Sequence, residues 1–142
     1  MKIEYSYGAV LYKIIDNEIY YLVEHMVLGH NSLPKGHIEA GETKEECVRR
    51  EIKEELNLTP EIDFSVFYTI NYHPKKGVKK YVTFYTGRIF DGEIIPQEIE
   101  VKEARYYKYN DALKILTHKS DRRTLKFLNK YIIEKEKNNE TN

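Results

Sequence analysis

The sequence has no tryptophan, a single cysteine and four prolines in 142 residues. One thiol, Cys47, cannot make an internal disulfide, and such usage fits the reducing cytoplasm, the expected location. No apolar run approaches the roughly 18 residues that span a bilayer. The opening "MKIEYSYGAV" is too polar to be expected as a secretory leader. An excess of either charge is also missing, since 23 Lys and Arg balance 23 Asp and Glu. A zero balance gives no general pull toward DNA or an anionic membrane, so neither is expected as a partner. No internal repeat is present. The oligomeric state is left open.

What is present is unevenly distributed. Acids concentrate at 39–55 and bases at 75–80 and 119–130, and tyrosine occurs thirteen times. The length suggests one domain, expected over 1–136, with a polar, frayed tail at 137–142. Residues 3–14 and 17–25 are rich in β-formers around the turn-like Asp16-Asn17, which reads as a hairpin. Thr43 followed by Glu46 is a capping-box pattern ahead of a helix over about 44–56, and Asn57 suits the left-handed residue that closes a helix. Residues 63–73 and 79–90 read as a long strand pair, and "EARYYKY" as a short strand. Two late helices follow, the first expected to be capped by Asn110 or Asp111 and the second by Ser120. The fold class read from this order is α+β, a mixed sheet packed between helices.

The helix over 44–56 carries the chemistry. With Glu51 at zero, Glu55 lies at about +40° and Glu54 at about −60°, so three carboxylates share one face. Val48, Ile52 and Leu56 occupy the neighbouring sector and face a core. Like charges at this spacing repel. Either solvent screens them, as on any Glu-rich surface helix, or something positive sits among them. Carboxylates without Cys or His suit hard cations, Mg²⁺ or Mn²⁺, which serve phosphate chemistry. Arg50 lies beside the acidic sector, where its planar fork can brace a carboxylate. Before the helix, Gly36 and Gly41 bracket "HIEA" and Lys35 adds a cation, a plausible phosphate cradle.

These residues resemble the Nudix box, Gly-x5-Glu-x7-Arg-Glu-U-x-Glu-Glu-x-Gly-U, where U is a bulky aliphatic. Gly36, Glu42, Arg50, Glu51, Ile52, Glu54, Glu55 and Leu58 stand at its places, and Asn57 replaces its second glycine. The resemblance implies an α/β/α sandwich and hydrolysis of a nucleoside diphosphate linked to another moiety. It implies Glu51, Glu54 and Glu55 as metal ligands, joined by the backbone carbonyl of Lys35, with Glu42 and Arg50 orienting them. It also implies a further carboxylate from the loop before the late strand. Glu98, Glu100 and Glu103 compete for that place. Glu100, six residues ahead of Tyr106, is the choice.

The flanks are similar to the branch that hydrolyses diadenosine tetraphosphate asymmetrically. "LPKGHIEAGE", "INYHPKKGVKKYVTFY", "EIEVKEARYYKY" and "DALKILTHKSDRRTLKFL" carry that likeness. It implies a nucleoside polyphosphate partner cut to ATP and AMP. Such a substrate needs cations beyond the metal, and Lys35, Lys75, Lys76, Lys79 and Lys80 are available, with Lys79 and Lys80 chosen. His37 follows Gly36 and is placed near phosphate. Stacking of a base on an aromatic ring is worth roughly 1–3 kcal/mol. Tyr72 and Tyr107 are the candidates, although most tyrosines read as ordinary sheet residues. His25, His30 and His37 lack a nearby cysteine and do not read as a zinc set, and Cys47 reads as packing. The alternatives are an RNA 5′-pyrophosphohydrolase, a nucleoside-triphosphate or nucleotide-sugar pyrophosphohydrolase, or a catalytically silent nucleotide sensor. A sensor is expected to need an added DNA-binding domain, for which this length leaves no room.

Overall fold

A computed structural model describes residues 1–140. Strand β1 spans Lys2–Ile15 and β2 spans Glu18–Met26. Asp16 and Asn17 both adopt positive φ between them, the backbone of a tight two-residue hairpin. Short strands β3, Asn31–Ser32, and β4, Lys35–His37, precede helix α1, Lys44–Leu56. Strands β5, Glu61–Lys75, and β6, Val78–Arg88, turn at Lys76 and Gly77. Strand β7, Val101–Lys108, leads into α2, Tyr109–Ile115, and α3, Lys119–Glu140.

The capping box on α1 forms as its sequence requires, with Thr43 and Glu46 each bonding the other's backbone amide. Asn57 closes the helix at φ 62°. The other expected caps differ. The chain already turns into α2 after Lys108, which has no side chain to cap it, and Ser120 lies inside α3. The expected frayed tail is helical as far as Glu140. Buried Glu136 holds that stretch down, accepting bonds from Tyr12 (2.6 Å) and Arg88 (2.6 Å). Thr141 and Asn142, the last of the expected tail, lie outside the described residues.

The sheet is mixed. β1 runs parallel to β6, and the remaining pairs are antiparallel. One face packs Val48, Ile52 and Leu56 of α1 against Tyr7, Ala9, Leu11 and Leu22. The other packs Leu125, Leu128 and Ile132 of α3 against Val10, Val23, Val82 and Phe84. The α/β/α sandwich is therefore present, one sheet between α1 and the late helices.

The feature that positions the site is a fork. β1 pairs with β2 from Tyr12 to Ile15, whereas Ser6, Tyr7 and Gly8 pair with β4. β2 in turn gives up β1 for β3 at Glu24 and His25. The segment 31–37 fills the gap between the diverging strands and opens into α1. Gly8 is required there, because a Cβ on it would lie 2.0 Å from the Pro34 carbonyl oxygen.

Candidate active site

Arg50 is the hub of the polar side of α1. Its Nε donates to Glu42 Oε2 at 2.6 Å and its Nη2 to Glu42 Oε1 at 3.0 Å. Nη1 reaches Glu51 Oε1 at 2.8 Å and Glu54 Oε2 at 3.1 Å, and Nη2 also binds the His37 carbonyl at 2.9 Å. The Glu39 amide donates to Glu42 in turn. Arg50 therefore ties the loop 37–42 to the helix. Its hydrogen bonds are the first cause holding the Glu42 carboxyl down to about 2. The positive group among the acids of α1 is, in this structure, a guanidinium.

The glutamate trio is divided by its surroundings. Glu54 points outward, with its side chain 58% exposed. Glu51 packs against Gly36 so closely that a Cβ there would lie 1.9 Å from its carboxyl carbon. Burial raises the Glu51 carboxyl above its ordinary value, with Arg50 opposing. Glu55 turns inward to Glu24 of β2, close enough for the two carboxyls to share a hydrogen bond. Burial is the first cause raising both, and the Glu24 charge adds to it at Glu55. Oε2 of each residue is buried without a partner. Among the described residues, no three His, Cys, Asp or Glu side chains converge into a finished metal site. Arg50 draws Glu51 and Glu54 one way while Glu55 turns the other. The donor set still fits a hard divalent cation, because it is all oxygen and two buried carboxylate oxygens lack any other partner.

A cavity of about 620 Å³ lies at the fork. Glu51, Glu55 and Glu24 line it, with Glu100 ahead of β7. The Glu100 carbonyl is fixed by the Val27 amide at 2.9 Å, and its charge acts on Glu24, Glu51 and Glu55. Lys35, His37, Tyr72 and Lys80 line it too. Lys35 Nζ sits 5.6 Å from the Tyr72 ring centre, and Lys80 Nζ sits 3.3 Å from His37 Nε2. Burial first, then Lys80, lowers the His37 pKa.

Two expected contacts fall elsewhere. Lys79 alternates to the α1 face of β6, where its Nζ lies 5.2 Å over Tyr81, away from the cavity lining. The Tyr107 hydroxyl lies 2.6 Å from His25 Nε2, and its half-buried ring packs on the α3-side core, outside the cavity lining. Glu24, His30, His118, Ser120 and Asp121 line the cavity without having been anticipated. Glu24 had a local signal, a lone carboxylate in the apolar strand "IYYLVEHM". His118, Ser120 and Asp121 had none, because the α2–α3 junction reaches the fork only through the fold.

The NUDIX domain model matches residues 9–128 of the chain. The chain belongs to the NUDIX family. A Mycobacterium tuberculosis protein named as a mutator protein, MutT4, is 33% identical over 95 residues, 65% of this chain, and the chain spans 38% of that relative's length. A Caenorhabditis elegans Ap4A hydrolase binary complex superposes with a TM-score of 0.84 at 23% identity, covering 92% of this chain and 98% of that one. The NUDIX domain of Shewanella oneidensis NrtR complexed with ADP ribose gives 0.74 at 17%, covering 93% and 89%. At such identities the solved structures show a shared NUDIX fold. Among the described residues no helix is long and apolar enough to cross a membrane.

Proposed function

We propose that the protein hydrolyses a phosphoanhydride of a nucleoside polyphosphate, with diadenosine tetraphosphate the preferred substrate and ATP and AMP the products. The class is that of the NUDIX family, a pyrophosphohydrolase. The observation that carries the reading is one cavity lined both by carboxylates, Glu51, Glu55 and Glu100, and by cations, Lys35 and Lys80. Phosphate needs both, the acids to hold a divalent cation and the lysines to hold oxygens that the cation does not reach.

Glu51, Glu54, Glu55 and the Lys35 carbonyl would hold Mg²⁺, or Mn²⁺. Such an ion, when bound, neutralises phosphate oxygens and acidifies a water. Arg50 and Glu42 set the loop and helix against each other, and so fix where those carboxylates stand. Lys35 and Lys80 position the phosphate chain, His37 braces Lys80, and Tyr72 offers a ring to the base. A proton from the attacking water passes to Glu51, Glu55 or Glu100. The likeness to the Ap4A hydrolase over nearly the whole chain supports the dinucleotide. The NUDIX domain seen with ADP ribose keeps a smaller nucleotide derivative as the second reading, beside RNA 5′ ends and nucleoside triphosphates. A silent sensor is less well supported, because every acidic position of the box is filled. The lone buried thiol is in keeping with a cytoplasmic setting.

Product analysis with Mg²⁺ across diadenosine tetraphosphate, ATP, ADP ribose and 5′-triphosphorylated RNA tests this. The expected result is fastest turnover of the dinucleotide to ATP and AMP. Two ADP as product, or preference for another member of the panel, overturns the substrate assignment.

A further inference from the structure

We propose that Glu24 is a further carboxylate of the divalent-cation site, facing Glu55 from the sheet. The inference rests on the NUDIX hydrolase reading above and adds to it a residue outside the box, from a different element.

Glu24 stands where a core residue belongs. Strand alternation puts it on the same face as Leu22, which is fully buried in the cluster against α1. Its backbone is bonded into the sheet on both sides, opposite Ser32 of β3 and Ala104 of β7. Glu24 is 1% exposed, yet its Oε2 has no partner beyond the facing Glu55 carboxyl. Glu55 approaches from α1, 5% exposed, with its own Oε2 equally unpartnered. Both line the same cavity. A buried carboxylate oxygen without a donor is costly and normally has a partner. Here two such oxygens occur together.

The surroundings narrow what that partner is. The charges acting on Glu24 include Glu51 and Glu100, both of its own sign, and one lysine, Lys35. Arg50 is committed to Glu42, Glu51 and Glu54. A small cation that accepts carboxylate oxygens from more than one element satisfies both orphan atoms, and oxygen donors of this hardness select Mg²⁺ or Mn²⁺. Glu51 and Glu54 are neutralised by the guanidinium, whereas Glu24 and Glu55 keep free oxygens. These two are therefore assigned the strongest hold on the ion.

Mn²⁺ binding, followed by electron paramagnetic resonance without substrate, tests this in wild type, Glu24→Gln, Glu24→Leu and Glu55→Gln. Gln keeps the shape and can still donate an N–H to Glu55, and Leu suits the apolar face, so both variants should fold. The expected result is that each Glu24 variant binds Mn²⁺ at least about 10-fold more weakly, with a smaller metal-induced rise in Tm. Wild-type affinity in Glu24→Gln, alongside a loss in Glu55→Gln, overturns the assignment and leaves Glu24 a neighbour that only positions Glu55. No Mn²⁺ binding by the wild type overturns the metal-dependent reading itself.

Discussion

Arg50 and Glu42 form a two-bond clasp, Nε to Oε2 at 2.6 Å and Nη2 to Oε1 at 3.0 Å, across the junction between the loop 37–42 and α1. A lysine cannot reproduce that planar fork. Arg50→Lys is expected to keep the fold and lose about 10–100-fold in kcat/KM, the usual effect of removing a group that orients metal ligands. Because Glu42 titrates at about 2 in the fold and at 4.5 ordinarily, the clasp contributes stability above pH 4.5 that is lost as pH falls toward 2. Glu42→Gln should therefore lose stability relative to wild type at pH 6 and match it near pH 2. Thermal unfolding across that range checks the sign.

Gly36 and Gly8 separate function from folding. A Cβ at Gly36 meets the end of a side chain, Glu51, whereas one at Gly8 meets the backbone of Pro34 and Lys35. Gly36→Ala should leave a folded protein that has lost about 100-fold or more in rate, since a displacement of about 1 Å is enough for that. Gly8→Ala should unfold at a lower temperature. Circular dichroism melts beside steady-state rates give the comparison, and a fully active Gly36→Ala would deny Glu51 its assigned position.

Saturating Mg²⁺ should raise Tm, because the proposed ion would bind the native arrangement of Glu51 and Glu55. At about 100 times Kd the gain is about 2.7 kcal/mol. Glu55→Gln should remove more of this shift than Glu54→Gln, since Glu54 is outward and Glu55 is buried with a free oxygen. Activity should vanish with a chelator and return with excess Mg²⁺. Equal shifts in all three proteins would place the ion elsewhere.

Lys80 lines the cavity and Lys79 faces the other way. Lys80→Ala should depress turnover of diadenosine tetraphosphate more than that of ATP, which lacks the distal phosphates. Lys79→Ala should leave both rates near wild type. Equal losses on both substrates in Lys80→Ala would remove the distal-phosphate role.

Asp121 is 3% exposed, and burial raises its carboxyl above the ordinary 3.8. A group raised in the fold favours folding most below its unfolded value, and that contribution is lost as pH rises through the folded value. Asp121→Asn should therefore melt with wild type near pH 3 and above it at pH 7, by about 3 °C per kcal/mol for a chain of this size. A lower Tm at pH 7 would mean that Lys35 and the Leu33 amide outweigh the burial.

The box helix was legible in the sequence because its causes are local. A capping box needs Thr43 and Glu46 three residues apart, the core stripe needs Val48, Ile52 and Leu56 at helical spacing, and the helix end needs Asn57 to accept positive φ. Nothing distant has to agree. The partners of that helix follow other rules. Lys79 and Lys80 are one residue apart, and the register of β6 against β1 decides which reaches the cavity. Tyr72 and Tyr107 are alike in sequence, but β7 lies beside β2, where the Tyr107 hydroxyl meets His25. Glu24 faces Glu55 because β1 and β2 diverge and leave the segment 31–37 to fill the fork. Spacing along the chain determines which side chains share a helix face, whereas strand pairing determines which elements share a cavity. Pairing depends on every strand finding its neighbour at once, so only the tertiary structure decided it.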